Sequence, residues 1–135
     1  MKRGVGVKFQ CQFLSLDKLR QWLFDNVGEV GTQVSGCLVS KNETWYYTYS
    51  DVINILRIGM WTELSVEEAW EQIKTKAPII AKECECNLTI YGIDLYEYDE
   101  EVQGVVNRYD DLVGGELAVI SVKPEEAPKK EQRWN

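Results

Sequence analysis

Cys84-Glu85-Cys86 and the carboxylate-rich stretch Asp94–Asp111 (DLYEYDEEVQGVVNRYDD) hold the residue types most able to do chemistry. Thiolates ligate metals, but a closed zinc site takes four donors, so Cys84 and Cys86 would need Cys11 and Cys37 from distant parts of the chain. Zinc-binding cysteine pairs are usually separated by two or more residues, and one separates these. Glu83 and Glu85 would raise a neighbouring thiol's pKa, the wrong direction for a nucleophile. Clustered carboxylates can hold Mg²⁺ or act as an acid–base pair. Asp99, Glu100 and Glu101 are consecutive, however, and would fan out around a helix start. Neither the spacing of an EF-hand loop nor a phosphate-cradling glycine loop is present. The chain has no histidine, which excludes Ser-His and Cys-His nucleophile pairs and His-ligated metals. We therefore expect no metal, no cofactor and no catalytic residue.

The same stretch reads better as a contact surface. Tyr91, Tyr96 and Tyr98 are interleaved with Asp94, Glu97 and Asp99. Tyrosine is favoured at interfaces, and acid around it selects a basic partner. The expected binding residues are Tyr96, Glu97, Tyr98, Asp99, Glu100 and Glu101. The formal net charge is −7, and between residues 91 and 115 only Arg108 opposes seven carboxylates. Direct binding of nucleic acid needs a basic footprint, so the sequence argues against it. The expected function is that of a small acidic protein-binding or regulatory module without catalytic activity. Two readings from other classes stay open. One is an inhibitor that occupies a basic nucleic-acid-binding surface of another protein, as mobile elements sometimes encode. The other is a small enzyme dependent on carboxylates or cysteine. Homo-oligomerisation also stays open.

Positioning such a surface requires strands and helices, and their periodicities are visible. Val5, Val7, Phe9, Cys11 and Phe13 alternate with polar residues or glycine and predict a half-buried strand over residues 5–13. Ser15 is placed to cap a helix with Leu16, Leu19, Leu23, Phe24 and Val27 on its apolar stripe and Gly28 at its end. Thr32–Ser40, with Gly36 as a bulge, and Thr44–Tyr49 predict a hairpin across the polar turn Lys41-Asn42-Glu43. One face of TWYYTY should line the core, leaving Tyr46 on a mixed surface. Residues 51–59 suggest a short helix capped by Ser50-Asp51, although the nearly continuous run of Val, Ile and Leu there also fits a strand, with Met60–Leu64 as a connector. Ser65-Val66-Glu67-Glu68 is a capping box, and Val66, Ala69, Trp70, Ile73 and Ala77 follow on one helical face. Pro78 disfavours an unbroken helix beyond that point, and residues 79–86 read equally as more helix or as the lead into a strand.

Leu88–Glu97 predicts a strand with a bulge at Gly92. Val102, Val105, Val106, Tyr109, Leu112 and Val113 recur at helical spacing, with Gly114-Gly115 as the stop. Glu116–Lys123 predicts a last, central strand. Residues 124–135 (PEEAPKKEQRWN) are too polar to build a core, and Trp134 has no apolar neighbours within that segment. These elements give a single α+β domain over residues 1–123 and a flexible charged tail over 124–135. The sheet should be mainly antiparallel and packed by two to four helices. The first part contains the order β-α-β-β-α-β, that of ferredoxin-like sandwiches, an analogy of order alone. No stretch approaches the ~18 apolar residues of a membrane span, and the N-terminus has no continuous apolar segment of the kind an export signal needs. A cytoplasmic location is expected, with the four cysteines reduced.

Overall fold

The computed structural model describes residues 3–33, 36–86, 89–109 and 120–121. They form an α+β domain in two layers, an antiparallel sheet with two helices on one face. In chain order the elements are β1 (Arg3–Gln10), α1 (Leu16–Asn26), β2 (Val30–Thr32), β3 (Leu38–Lys41), β4 (Trp45–Ser50) and β5 (Ile55–Thr62), then α2 (Val66–Glu83), β6 (Thr89–Asp99), β7 (Gly104–Arg108) and β8 (Ile120–Ser121). Strands run in the order β2-β3-β4-β5-β1-β6-β7, and β8 pairs with the start of β6. β1 is central, antiparallel to both β5 and β6. The ferredoxin-like order is not confirmed: β4 and β5 add a second hairpin between the two helices.

Strand alternation decides the two faces. Val5, Val7 and Phe9 of β1, Leu56, Ile58 and Met60 of β5, Tyr47 and Tyr49 of β4 and Leu95 of β6 point to one side, where all are buried. α2 lays Ala69, Trp70, Ile73, Ala77, Ile80 and Ala81 on that side across β1, β5 and β6. α1 adds Leu19 and Leu23. Its Trp22 packs edge-on against Tyr47, with ring centroids 5.9 Å apart, and donates a hydrogen bond of 2.6 Å to Glu83 of α2. Ser15 stands at the N-cap of α1 without a capping bond from its side chain. Phe24, expected on the buried stripe, is exposed.

Several elements differ from the sequence expectation, each for a local reason. Residues 51–59 do not form a helix. Asp51–Asn54 is a turn, and Ile55–Thr62 is a strand whose Leu56, Ile58 and Met60 alternate into the core. Asn54, with φ 56°, takes the left-handed conformation that the turn needs and that Asn tolerates. The Met60–Leu64 connector therefore begins only after Thr62. Thr32–Ser40 is not one bulged strand: Gly36, at φ 87°, belongs to the connection that separates β2 from β3.

The Ser65/Glu68 capping box forms as expected, Ser65 Oγ accepting from the Glu68 N–H at 3.1 Å and Glu68 Oε1 from the Ser65 N–H at 3.1 Å. α2 then runs through Pro78 to Glu83. The buried Ala77, Ile80 and Ala81 that flank the proline hold it on the sheet, so tertiary burial outweighs the one backbone hydrogen bond that proline removes. Residues 102–109 are not helical. Asp99 closes a turn, accepting from the Glu101 N–H at 2.8 Å, and β7 follows. The predicted bulge in β6 is present: Lys8 faces Asp94 and Phe9 faces Gly92, which leaves Ile93 as the extra residue. Of the predicted last strand only Ile120–Ser121 is described. Leu112 and Val113, the tail over 124–135 and Trp134 lie outside the described residues.

Candidate functional site: the uncovered face of the sheet

Among the described residues, no helix covers the second face of the sheet. Strand register arranges that face in three rows. The first crosses Trp61, Gly4, Tyr98 and Val105. The second crosses Lys41, Tyr46, Gly59, Gly6, Tyr96 and Arg108. The third crosses Val39, Thr48, Arg57, Lys8 and Asp94. Glycines therefore occupy the middle of the first two rows, and aromatic rings from both sides close over them. A Cβ on Gly4 would lie 3.0 Å from Trp61, one on Gly6 2.4 Å from the Tyr96 hydroxyl, and one on Gly59 1.9 Å from the Tyr46 ring. Glycine is required here for close approach, not for backbone conformation. Tyr46 and Trp61 have ring centroids 5.3 Å apart, and Trp61 and Tyr98 5.9 Å apart, in tilted and edge-on arrangements that aromatic pairs favour.

The rows line a half-open cleft of about 380 Å³, within the range of small-ligand sites. Its polar end is the third row. Asp94, 9% exposed, receives Arg108 at 2.5 Å and Lys8 at 3.3 Å on Oδ2. The Arg57 guanidinium stands 5.9 Å from the centroid of the Tyr96 ring, within cation–π range. Arg57 Nε, Tyr46 Oη and Asp94 Oδ1 are buried without a hydrogen-bond partner. The Tyr46 and Tyr96 hydroxyls converge over Gly6 and shift each other's ionisation, a contact looser than a well-formed hydrogen bond. Burial first, and then the neighbouring Tyr96, push the Tyr46 pKa far up. Tyr46 thus stays protonated and is a donor, not a base.

The expected binding residues divide between three places. Tyr96 and Tyr98 belong to the aromatic rows. Glu97 points to the opposite face, beside the start of α2, and is buried. There it pairs with Arg3 and accepts hydrogen bonds from Asn107 at 2.9 Å and Tyr109 at 2.5 Å. Burial would raise its pKa, but those bonds and the Arg3 guanidinium outweigh burial and hold it below the usual carboxylate range. Asp99 caps the β6–β7 turn, and Glu100 and Glu101 are exposed on it. Glu100 returns to the site at its rim, where it lines one depression with Trp61 and Glu43. Tyr46, Arg57 and Trp61 were missed as members. Alternation of Leu56, Ile58 and Met60 would have put Arg57, Gly59 and Trp61 together on the uncovered face.

The cysteine candidates separate as well. Cys84 faces the backbone of α1, and its sulfur lies 3.7 Å from the Lys18 carbonyl oxygen. Cys11 and Cys86 neighbour each other in the core, and Cys37 lies elsewhere. None of the four is joined in a disulfide among the described residues. Burial, then Glu83, push Cys84 up to about 12, and hydrogen bonding with Cys86 and burial push Cys11 far up. Among the described residues, no three His, Cys, Asp or Glu side chains gather where they could hold a metal ion, and no helix is long and apolar enough to cross a membrane. The cleft presents flat aromatic rings, the cationic side chains of Lys8, Lys41, Arg57 and Arg108, and the carboxylate of Asp94.

No protein-family model matches the chain, and neither a curated protein nor a solved structure matches it.

Proposed function

We propose that the protein is a non-catalytic binding module that engages a basic protein partner at the Trp61 end of the uncovered sheet face. The observation that carries this reading is the set of rings, Tyr46, Trp61, Tyr96 and Tyr98, packed over glycines on a face that no described helix covers. Tyr, Trp and Arg are the residues in which interface binding energy concentrates. At this end β5, β6 and the β3–β4 hairpin turn back, and the exposed Glu43 and Glu100 lie beside Trp61. A partner's arginine or lysine side chain stacked on Trp61 would meet the carboxylates of Glu43 and Glu100, with Lys41 lining the same depression.

The test compares two variants with the parent protein in affinity capture from native lysate at low and high salt. Glu43, Glu100 and Glu101 are replaced together by Gln in one, and Trp61 by Ala in the other. A partner retained by the parent should be lost from Trp61→Ala and held with a weaker salt dependence by the triple variant, because rim charges act mainly on encounter. A partner captured equally by both folded variants would overturn the reading.

A further inference from the structure

We propose that the polar end of the cleft is a binding site for a small planar aromatic carboxylate that carries a hydrogen-bond donor at its far end. The site shares Tyr46 and Tyr96 with the partner surface proposed at Trp61, but its charged groups, Arg57, Lys8 and Asp94, belong to the third row. Three buried polar atoms without partners line the same cavity: Arg57 Nε, Tyr46 Oη and Asp94 Oδ1. Native structures leave only a few such atoms unsatisfied, so the gathering of three in one cavity marks a place for complementary groups.

Their chemistry sets the ligand's polarity. Arg57 Nε only donates, so it calls for an acceptor oxygen, and the Tyr46 hydroxyl can donate to the same ligand oxygen. Asp94 Oδ1 only accepts, so it calls for an N–H or O–H. Arg57, Lys8 and Arg108 outnumber Asp94 along these rows, a local excess of positive charge in a chain of net −7. That excess favours an anion at the Arg57 side. Asp94 does not repel it, because Lys8 and Arg108 already neutralise Asp94.

Spacing and shape set the rest. Arg57 faces Lys8, and Lys8 faces Asp94, so the donor and acceptor sides stand two strands apart, roughly 10 Å between backbones. One aromatic ring with groups at opposite ends spans that interval with a hydrogen bond at each end. The rings of Tyr46 and Tyr96 flank the space and favour a flat group over a branched one.

The probe is 4-aminobenzoate, titrated calorimetrically into the full-length protein with no partner present. Benzoate lacks the donor and aniline lacks the carboxylate. Saturable 1:1 binding of 4-aminobenzoate is expected, several-fold weaker for benzoate and at least tenfold weaker for aniline. Arg57→Gln should weaken 4-aminobenzoate at least tenfold. Tyr46→Phe keeps the ring over Gly59 and should weaken it several-fold, with the melting temperature of each variant confirming that it is folded. Absence of saturable binding at millimolar probe would overturn the proposal. So would binding that both folded variants retain, or aniline binding as well as 4-aminobenzoate. A protein that binds the probe and captures no partner would leave this site standing and remove the partner reading alone.

Discussion

The ring of Tyr46 occupies the space that a side chain on Gly59 would need: a Cβ there would stand 1.9 Å from Tyr46 Cζ and 2.3 Å from its hydroxyl oxygen. The two residues face each other across β4 and β5, so the glycine lets the ring lie flat on the sheet. Gly59→Ala should destabilise the fold by at least about 2 kcal/mol, as overpacking of a filled site does. Tyr46→Ala removes the obstacle. Chemical denaturation of the single variants and the double variant should therefore show strong non-additivity, with Gly59→Ala costing little once Tyr46 is truncated. Additive costs would mean that the ring does not press on Gly59.

Glu97 gives the fold a pH dependence whose sign is fixed. Its folded pKa lies below the ordinary carboxylate value despite burial, because Tyr109, Asn107 and Arg3 stabilise the charged form. A carboxylate depressed in the folded state contributes stability fully above its unfolded pKa of about 4.3 and loses it as pH falls through the folded value. Glu97→Gln should therefore be less stable at pH 7 by about 1–3 kcal/mol, the range for breaking a charged hydrogen-bond set that is partly screened on the Arg3 side. Its stability should fall less than the parent's below pH 4, so the two denaturation curves converge in acid. Parallel pH profiles would show that Glu97 is not the residue responsible.

Gln103 tests the β6–β7 turn. It sits at φ 55°, exposed, in a conformation costly for a side chain and easy for glycine. Gln103→Gly should stabilise the protein by about 0.5–1 kcal/mol in thermal or chemical unfolding, against the usual tendency of glycine to destabilise. A loss of stability would place the side chain in a contact that outweighs the strain.

How legible the fold was depended on whether local pattern and tertiary burial agreed. The period-two apolar residues of β1 and the capping box at Ser65 both lead directly to the observed elements, since each needs only neighbours in sequence. Residues 51–59 failed because Val52, Ile53 and Leu56 also fit a helical face, and only pairing with β1 and β4 decides for a strand. Residues 102–109 failed the same way: Val102, Val105 and Val106 mimic a helical stripe, yet all three are exposed, and pairing with β6 determines the strand. Pro78 misled in the opposite sense, because a proline's local cost is small beside the burial of a long helix on the sheet. The site was half legible. Tyr96 and Tyr98 follow from alternation in β6. Their companions Tyr46, Arg57 and Trp61 lie on strands far away in sequence, and register alone brings them together.

The acidic stretch Asp94–Asp111 holds carboxylates in two different settings, and mutagenesis can separate them. Glu97 is a buried structural ligand of Arg3, Asn107 and Tyr109, whereas Glu100 and Glu101 are exposed on the turn and make no ion pair among the described residues. Neutralising all four carboxylates from Glu97 to Glu101 at once would mix a folding defect with any loss of binding. Glu100→Gln with Glu101→Gln should leave stability within about 0.5 kcal/mol of the parent, the ordinary range for exposed positions. Asp99→Asn retains an oxygen that can accept from the Glu101 N–H and should cost little. Asp99→Ala removes that acceptor and should cost about 1 kcal/mol. If the turn guides a basic partner to Trp61, the Glu100/Glu101 pair should lower the association rate and flatten its salt dependence with little change in dissociation. A stopped-flow or surface-binding measurement on the purified partner distinguishes the two rates. An unchanged association rate in the folded pair variant would leave those charges as solubilising groups and confine the partner surface to the aromatic rows.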